Sequence, residues 1–185
     1  MRIGIDIDGV VSDSYRAWVR ELNQHFGTNI LELKNYDLSV DFGVSWEEMG
    51  KFFEENVAYL FEIPEPMSGA KEGIERLLNK GHEITYVTAR SVDQKEYTLN
   101  WMKKHKIPHE EILFTGLQSK VDYVLEWELE VMLEDYLGNA QEISEAGVPV
   151  LLLDASYNKG ELPSGIIRCH DWQEVVKIIK NGSLN

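Results

Sequence analysis

Two aspartates separated by one residue, Asp6 and Asp8, close the first apolar run of the chain in the stretch Gly4-Ile5-Asp6-Ile7-Asp8-Gly9-Val10-Val11. Alternation along a strand aims both carboxylates to one side, and Gly9 lets the backbone turn away, leaving the pair at the strand's end. That is where an open α/β sheet keeps its chemistry. One carboxylate can attack phosphorus as a nucleophile while its neighbour protonates the leaving oxygen, provided a cation holds the two negative charges together. The competing reading of this stretch taken alone is an acidic turn after a strand.

Three further segments follow in the order such chemistry requires. Ile84-Thr85-Tyr86-Val87-Thr88-Ala89-Arg90 reads as an apolar strand ending in a hydroxyl, just before a helix-start signal made by Ser91 and Gln94. Thr88 and the backbone N–H groups of Ala89 and Arg90 are then placed to hold a phosphate. Lys120, near the start of a helix predicted over residues 119–127, offers a fixed positive charge for the same anion. Val131-Met132-Leu133-Glu134-Asp135 reads as a strand ending in two acids, suited to completing an oxygen-rich Mg²⁺ site. Singly, Thr88 is a strand-end cap, Lys120 a solvated charge and Glu134-Asp135 a polar strand exit. Their serial order favours the chemical reading.

With these motifs in place the chain resembles the haloacid dehalogenase superfamily of phosphohydrolases over nearly its whole length. Asp6-Ile7-Asp8-Gly9-Val10 is similar to that family's first motif, Thr88 to its second, Lys120 to its third and Glu134-Asp135 to its fourth. The resemblance implies that Asp6 is the nucleophile forming an aspartyl-phosphate, and that Asp8 is first the general acid and then the base that activates water. It implies Mg²⁺ held by the Asp6 carboxylate, the Asp8 backbone carbonyl and Asp135, with Glu134 acting through water or from behind the ligands. The superfamily's dehalogenases lack the second aspartate and its ATPases carry threonine there, so Asp8 points to phosphate esters.

A finer resemblance rests on Thr88-Ala89-Arg90, on the acid pair followed by Asn139-Ala140, and on a small insert after the first strand. These look like the 5′(3′)-deoxyribonucleotidase branch and its bacterial relatives, which implies a nucleoside or deoxynucleoside 5′-monophosphate as substrate. One departure is Asn139, in a region where the fourth motif often carries another acid. Asn139 is expected to cap the following helix in preference to hydrogen-bonding a metal-bound water. The Arg90 side chain is left with two options, reaching the phosphate or pointing outward.

Composition bounds the alternatives. A chain of 185 residues allows one α/β domain with a modest insert but not two full-sized domains, and 43% hydrophobic residues suffice for a filled core. The formal net charge of −14 disfavours duplex nucleic acid and anionic membrane surfaces as partners. It also repels phosphorylated substrates at long range, so Lys120, Arg90, a metal and helix N-termini must reverse the charge locally. The single cysteine, Cys169, excludes an intrachain disulfide framework and reads as a buried small residue. No secretory signal opens the sequence, and no apolar run approaches membrane-spanning length, so the default expectation is a cytoplasmic protein. His25, His82, His105, His109 and His170 lack a compact ligand spacing.

The elements that must position these residues alternate as strand and helix. Strands are predicted over residues 2–7, 83–88, 112–114, 130–133, 148–153 and 165–169, with helices over 70–79, 92–105, 119–127, 138–146 and 171–180. Residues 156–164 read as a loop rich in turn formers. Such alternation predicts an α/β fold, a Rossmann-like parallel sheet with helices on both faces built by right-handed crossovers. The expected division is a core of residues 1–11 and 69–185, with residues 12–68 forming a small α-helical cap over the mouth of the site. Two helices are predicted in that insert. Tyr15, Trp18, Val19, Leu22 and Phe26 recur at helical spacing, and Ser45 with Glu48 forms a capping box for a helix reaching Tyr59. Tyr15, Trp18, Tyr36, Trp46, Phe52 and Phe53 are candidates for a base-stacking platform, although most of them are expected to serve packing. A closing cap suits a small phosphorylated molecule better than a phosphoprotein. Kept beside the nucleotidase reading are a sugar-phosphate phosphatase or phosphomutase of the same superfamily, and a non-catalytic protein that binds a phosphorylated ligand.

Overall fold

A computed structural model of the chain describes residues 1–116 and 118–184. Six parallel strands form one sheet: β1 (Arg2–Ile5), β2 (Glu83–Thr88), β3 (Glu111–Phe114), β4 (Val131–Glu134), β5 (Val150–Leu153) and β6 (Ile166–Cys169), in the spatial order β3-β2-β1-β4-β5-β6. The chain builds outward from β1 to β3 on one side, then crosses to β4 and builds outward on the other. Strand order therefore reverses between β1 and β4, and the crevice beyond their C-terminal ends is where such sheets hold ligands.

Side-chain alternation divides the core between the two faces. Ile3, Ile5, Val131, Leu133, Leu151 and Leu153 pack on one face against residues of helices α4 (Ala70–Leu78), α5 (Lys95–His105) and α8 (Trp172–Asn181). Val87, Met132, Val150 and Leu152 pack on the other, against α6 (Val121–Glu126) and α7 (Leu137–Glu145). With both faces covered, the central strands read as continuous apolar runs. The expected parallel α/β architecture is the one observed.

The residues between β1 and α4 build a separate apolar cluster, with Trp18, Leu22, Leu38, Phe42, Phe52 and Phe61 among its buried members. The chain enters and leaves this insert side by side, Asp13 N–H donating to Glu65 O at 2.8 Å and Met67 N–H to Val11 O at 2.8 Å. The insert holds three helices where two were expected: α1 (Ser14–Phe26), α2 (Leu38–Phe42) and α3 (Trp46–Glu62). The short α2 lies in the segment read only as polar. Asp37 starts it, its carboxylate accepting from Ser39 N–H at 2.9 Å, and Gly43 ends it at φ +65°. Leu38 and Phe42, one turn apart, fix it by burial in the insert's cluster. Ser45 and Glu48 form the predicted capping box at the head of α3, at 3.2 Å and 2.9 Å. Residues 92–94 form a 3₁₀ turn before α5, and residues 156–158 form another inside the predicted loop. Strands β1, β5 and β6 are shorter than predicted. Asp6 nonetheless extends the pairing of β1, its N–H donating to Leu133 O at 3.0 Å.

Candidate active site

The end of β1 delivers Asp6 and the end of β4 delivers Glu134 and Asp135 to the same crevice. One carboxylate oxygen from each of the three lies within 4.8 Å of the others, and all three side chains are buried. Lys120, at the N-terminal edge of α6, inserts its ammonium between two of them, with Nζ 2.9 Å from Asp6 Oδ2 and 2.7 Å from Glu134 Oε1. Glu134 also accepts from Asn139 Nδ2 at 3.2 Å. This corrects the capping expectation for Asn139. The residue preceding α7 is Tyr136, and Asn139 lies inside the first turn, where its amide steadies Glu134.

Burial dominates the electrostatics. It pushes the Asp6 carboxyl up to about 7 against the pull of Lys120, with Glu134 and Asp8 adding to the rise. Asp135 is pushed well above the carboxylate range by burial and by the charges of Asp6 and Glu134. Desolvation alone would lower the Lys120 ammonium, but Asp6 and Glu134 outweigh it and raise it. Asp6, Asp8, Glu134 and Asp135 set four carboxyl groups against the two cations Lys120 and Arg90, so full ionisation leaves an excess of two negative charges. One divalent cation closes that balance.

The donor set fits such an ion. Asp135 Oδ1 is buried without a hydrogen-bond partner, whereas its Oδ2 accepts from the Tyr157 hydroxyl. Asn158 holds the backbone beneath, its Nδ2 donating to Asp135 O and Leu153 O, each at 2.7 Å. Gly9 leaves room for the carboxylate: it sits at φ +78°, and a Cβ there would lie 2.0 Å from Asp135 Oδ2. Carboxylate oxygens with no sulfur or imidazole among them suit a hard cation.

Asp8 shares the sheet edge but faces a different cation. Arg90 grips it with two hydrogen bonds, Nε to Oδ2 at 2.8 Å and Nη2 to Oδ1 at 2.6 Å, and Ser14 at the start of α1 donates to Oδ1 as well. Burial alone would raise the Asp8 carboxyl, but the Arg90 charge and hydrogen bonds, with Ser14, overcome it and hold the group below its ordinary value. Arg90 Nη1 donates to Thr98 Oγ1 at 3.0 Å, and the guanidinium lies 4.1 Å over the Phe61 ring of α3. Of the two options for the Arg90 side chain, pointing outward is corrected: it is 2% exposed, and three of its five N–H groups are engaged by Asp8 and Thr98. Thr88 closes β2 fully buried, its Oγ1 accepting from Arg90 N–H at 3.3 Å, while Ala89 lies exposed beside it.

An aromatic wall joins this crevice to the insert. Tyr157 packs on Tyr15 with ring centroids 4.8 Å apart, Tyr15 on Tyr36 at 5.9 Å, and Tyr36 stacks on Tyr136 at 3.8 Å with 17° between planes. Tyr15 and Tyr36 also line a cavity of about 330 Å³, together with Trp18, Asp37, Trp46 and Phe53. Five of the six candidate aromatics line it. The sixth, Phe52, is 6% exposed and packs against His25, Phe26 and Phe53. Tyr157, Asn158, Ser14 and Thr98 were missed by the sequence reading. Tyr157 and Asn158 sit in a turn-rich stretch whose spacing carries no signal, and no local pattern links residue 157 to residue 135.

The sheet order and the acids at its reversal point define a haloacid dehalogenase fold. A haloacid dehalogenase family hydrolase of Deinococcus radiodurans, solved with bound phosphate and sodium, superposes with a TM-score of 0.68 at 14% identity, covering 99% of this chain and 96% of the other. A superfamily hydrolase of subfamily IA from Geobacter sulfurreducens gives 0.62 at 16% identity over 96% and 95%. The chain belongs to the family described as 5′ nucleotidase, deoxy (pyrimidine), cytosolic type C protein, which matches residues 1–183. It is thus a nucleotidase, a phosphomonoesterase of the haloacid dehalogenase type. A Clostridium acetobutylicum protein named as a nucleotidase is 33% identical over 97% of this chain and 93% of its own length. No helix among the described residues is long and apolar enough to cross a membrane.

Proposed function

We propose that the protein hydrolyses a nucleoside or deoxynucleoside 5′-monophosphate through an aspartyl-phosphate on Asp6, with Mg²⁺ as the cation. The observation that carries this reading is the adjacency of two unlike sites: the buried carboxylates with Lys120, and, across Tyr15 and Tyr36, an aromatic cavity fit for a nucleobase. On this reading residues 12–68 are a cap, residues 1–11 and 69–185 are the core, and the substrate bridges them.

Asp6 attacks phosphorus, and the bond to the nucleoside oxygen breaks as that oxygen takes a proton from Asp8. Asp8 then takes a proton from water, whose oxygen attacks the same phosphorus, releasing inorganic phosphate and restoring the Asp6 carboxylate. Lys120 holds Asp6 in line while offsetting its charge. Thr88 and the backbone N–H groups of Ala89 and Arg90 cradle the phosphate oxygens at the end of β2. Asp6, Asp135 and the Asp8 carbonyl would hold Mg²⁺, with Glu134 steadying Lys120 and Asn139 from behind. Bound there, the ion supplies positive charge to the attacking carboxylate and the phosphate. The Arg90 fork favours the ionised form of Asp8, the form that accepts a proton from water. For Asp8 to donate one, the fork must open, and a substrate phosphate competes for the same guanidinium.

The test is phosphate release from a panel of nucleoside, sugar and amino-acid monophosphates, with Mg²⁺ and with EDTA. Metal-dependent release confined to the nucleotides is expected. Release only from sugar phosphates would move the substrate while keeping the mechanism, and ligand-induced stabilisation without turnover would replace catalysis by binding.

A further inference from the structure

We propose that Tyr157 restricts Asp135 to a single metal-facing oxygen and so biases the acid cluster toward Mg²⁺ and against Ca²⁺; this rests on the reading of that cluster as an Mg²⁺ site. The Asp135 side chain is fully buried, and its two oxygens have unlike surroundings. Oδ2 accepts from the Tyr157 hydroxyl and lies against Gly9, where a Cβ would come within 2.0 Å of it and within 2.9 Å of the Tyr157 hydroxyl oxygen. Oδ1 has no hydrogen-bond partner among the described residues, and it is the oxygen left to a cation.

Tyr157 is itself held in place. It sits in the 3₁₀ turn over residues 156–158, which its neighbour Asn158 anchors. Asn158 is 1% exposed; its Nδ2 donates to Asp135 O and Leu153 O, and its Oδ1 accepts from Ala155 N–H at 3.1 Å and from Arg168 Nη1 at 2.7 Å. The Tyr157 ring also packs on Tyr15 of the insert. A donor fixed this firmly behind a ligand decides which oxygen the ligand presents. To offer both oxygens, Asp135 would have to turn Oδ2 away from the hydroxyl, breaking that hydrogen bond inside a buried site. The two ions differ in what they ask of a carboxylate. Ca²⁺ takes about six to eight oxygens and can take both from one carboxylate, whereas Mg²⁺ accepts single oxygens and completes an octahedral shell with water. A pinned Oδ2 therefore denies Ca²⁺ a ligand and takes nothing from Mg²⁺.

The experiment titrates the whole chain, stripped of metal and free of substrate, with Mg²⁺ and with Ca²⁺ by calorimetry. Wild-type protein is compared with Tyr157→Phe, and Tyr15→Phe, in the adjoining ring of the same wall, serves as the control. Tyr157→Phe deletes the hydroxyl while keeping the ring against Tyr15, and the binding stoichiometry reports the folded fraction separately from affinity. The readout is the ratio of the two affinities. In Tyr157→Phe the affinity for Ca²⁺ relative to Mg²⁺ is expected to rise by about tenfold, while Tyr15→Phe leaves the ratio at its wild-type value. An unchanged ratio in Tyr157→Phe, whether both affinities hold or both fall together, would overturn the assignment, as would an equal shift in Tyr15→Phe. A wild-type protein that binds neither ion would instead overturn the Mg²⁺ reading beneath it.

Discussion

The two ends of the proposed substrate would meet opposite kinds of environment. At the sheet edge Asp6, Glu134, Asp135 and Lys120 are all buried, ionisable and gathered together, with Lys120 paired to Asp6 and Glu134. In the insert five aromatic side chains line the cavity, and Trp46 remains 67% exposed. Charges packed this closely are costly to bury and tolerate no missing partner, whereas aromatic packing degrades by degrees. On the proposed reading, chemistry falls to the first region because it needs fixed charge, and selection to the second because it needs a shape that can vary.

Removing the nucleophile tests the comparison most severely. Asp6→Asn is expected to lower kcat by about 10⁴-fold or more, read as phosphate release, while the fold persists because one of several mutually repelling acids has been neutralised. Appreciable turnover in that variant would refute the covalent route.

Lys120→Met probes whether the acids depend on their cation. With its ammonium gone, Asp6 and Glu134 lose the charge 2.9 Å and 2.7 Å away, and the metal-free protein should lose about 3–5 kcal/mol in urea unfolding. Mg²⁺ should restore part of that loss. A change of the size seen at surface pairs would mean that the cluster is less tightly coupled than its contacts indicate.

The same region predicts a pH dependence with a definite sign. Burial raises Asp6 from 3.8 to about 7, so across that interval the native protein holds a proton that the unfolded chain has released. Stability in EDTA should therefore fall as pH rises through this window, then level off from this group once native Asp6 is ionised. A bound divalent cation favours the ionised carboxylate, so unfolding midpoints measured with Mg²⁺ should lose that slope. Parallel curves with and without metal would sever the link between the acids and the ion.

The smallest expected effect lies in the insert. Trp46→Ala removes an exposed ring and should leave stability within about 0.5 kcal/mol. It should nonetheless raise KM for nucleoside monophosphates by about tenfold, the scale of one lost stacking contact, and by less for ribose 5-phosphate. An equal rise for both substrates would place the base elsewhere.

Asp6, Asp8, Thr88, Lys120, Glu134 and Asp135 were legible in the sequence, along with the parallel α/β fold, because each sits at the end or start of an element whose periodicity is strong. Strand alternation and helix capping are local rules, and a site assembled from element ends inherits their clarity. Arg90 shows where this stops. Its position was legible, but its commitment to Asp8 depends on how β2 lies beside β1, on Thr98 one helix away and on Phe61 in the insert. Asn139 reads as a cap and proves to be a buffer for Glu134, since a short amide meets whichever partner the packing supplies.

By itself the sequence determined the order of strands and helices, the acids at their ends, and the charge deficit that calls for a cation, all of which follow from residue type and spacing. Only the tertiary structure decided that Tyr157 and Asn158 secure Asp135 and that Tyr36 closes against Tyr136. Those contacts join residues far apart in the chain, and side-chain hydrogen bonds and ring stacking of that kind have no period for a sequence to display.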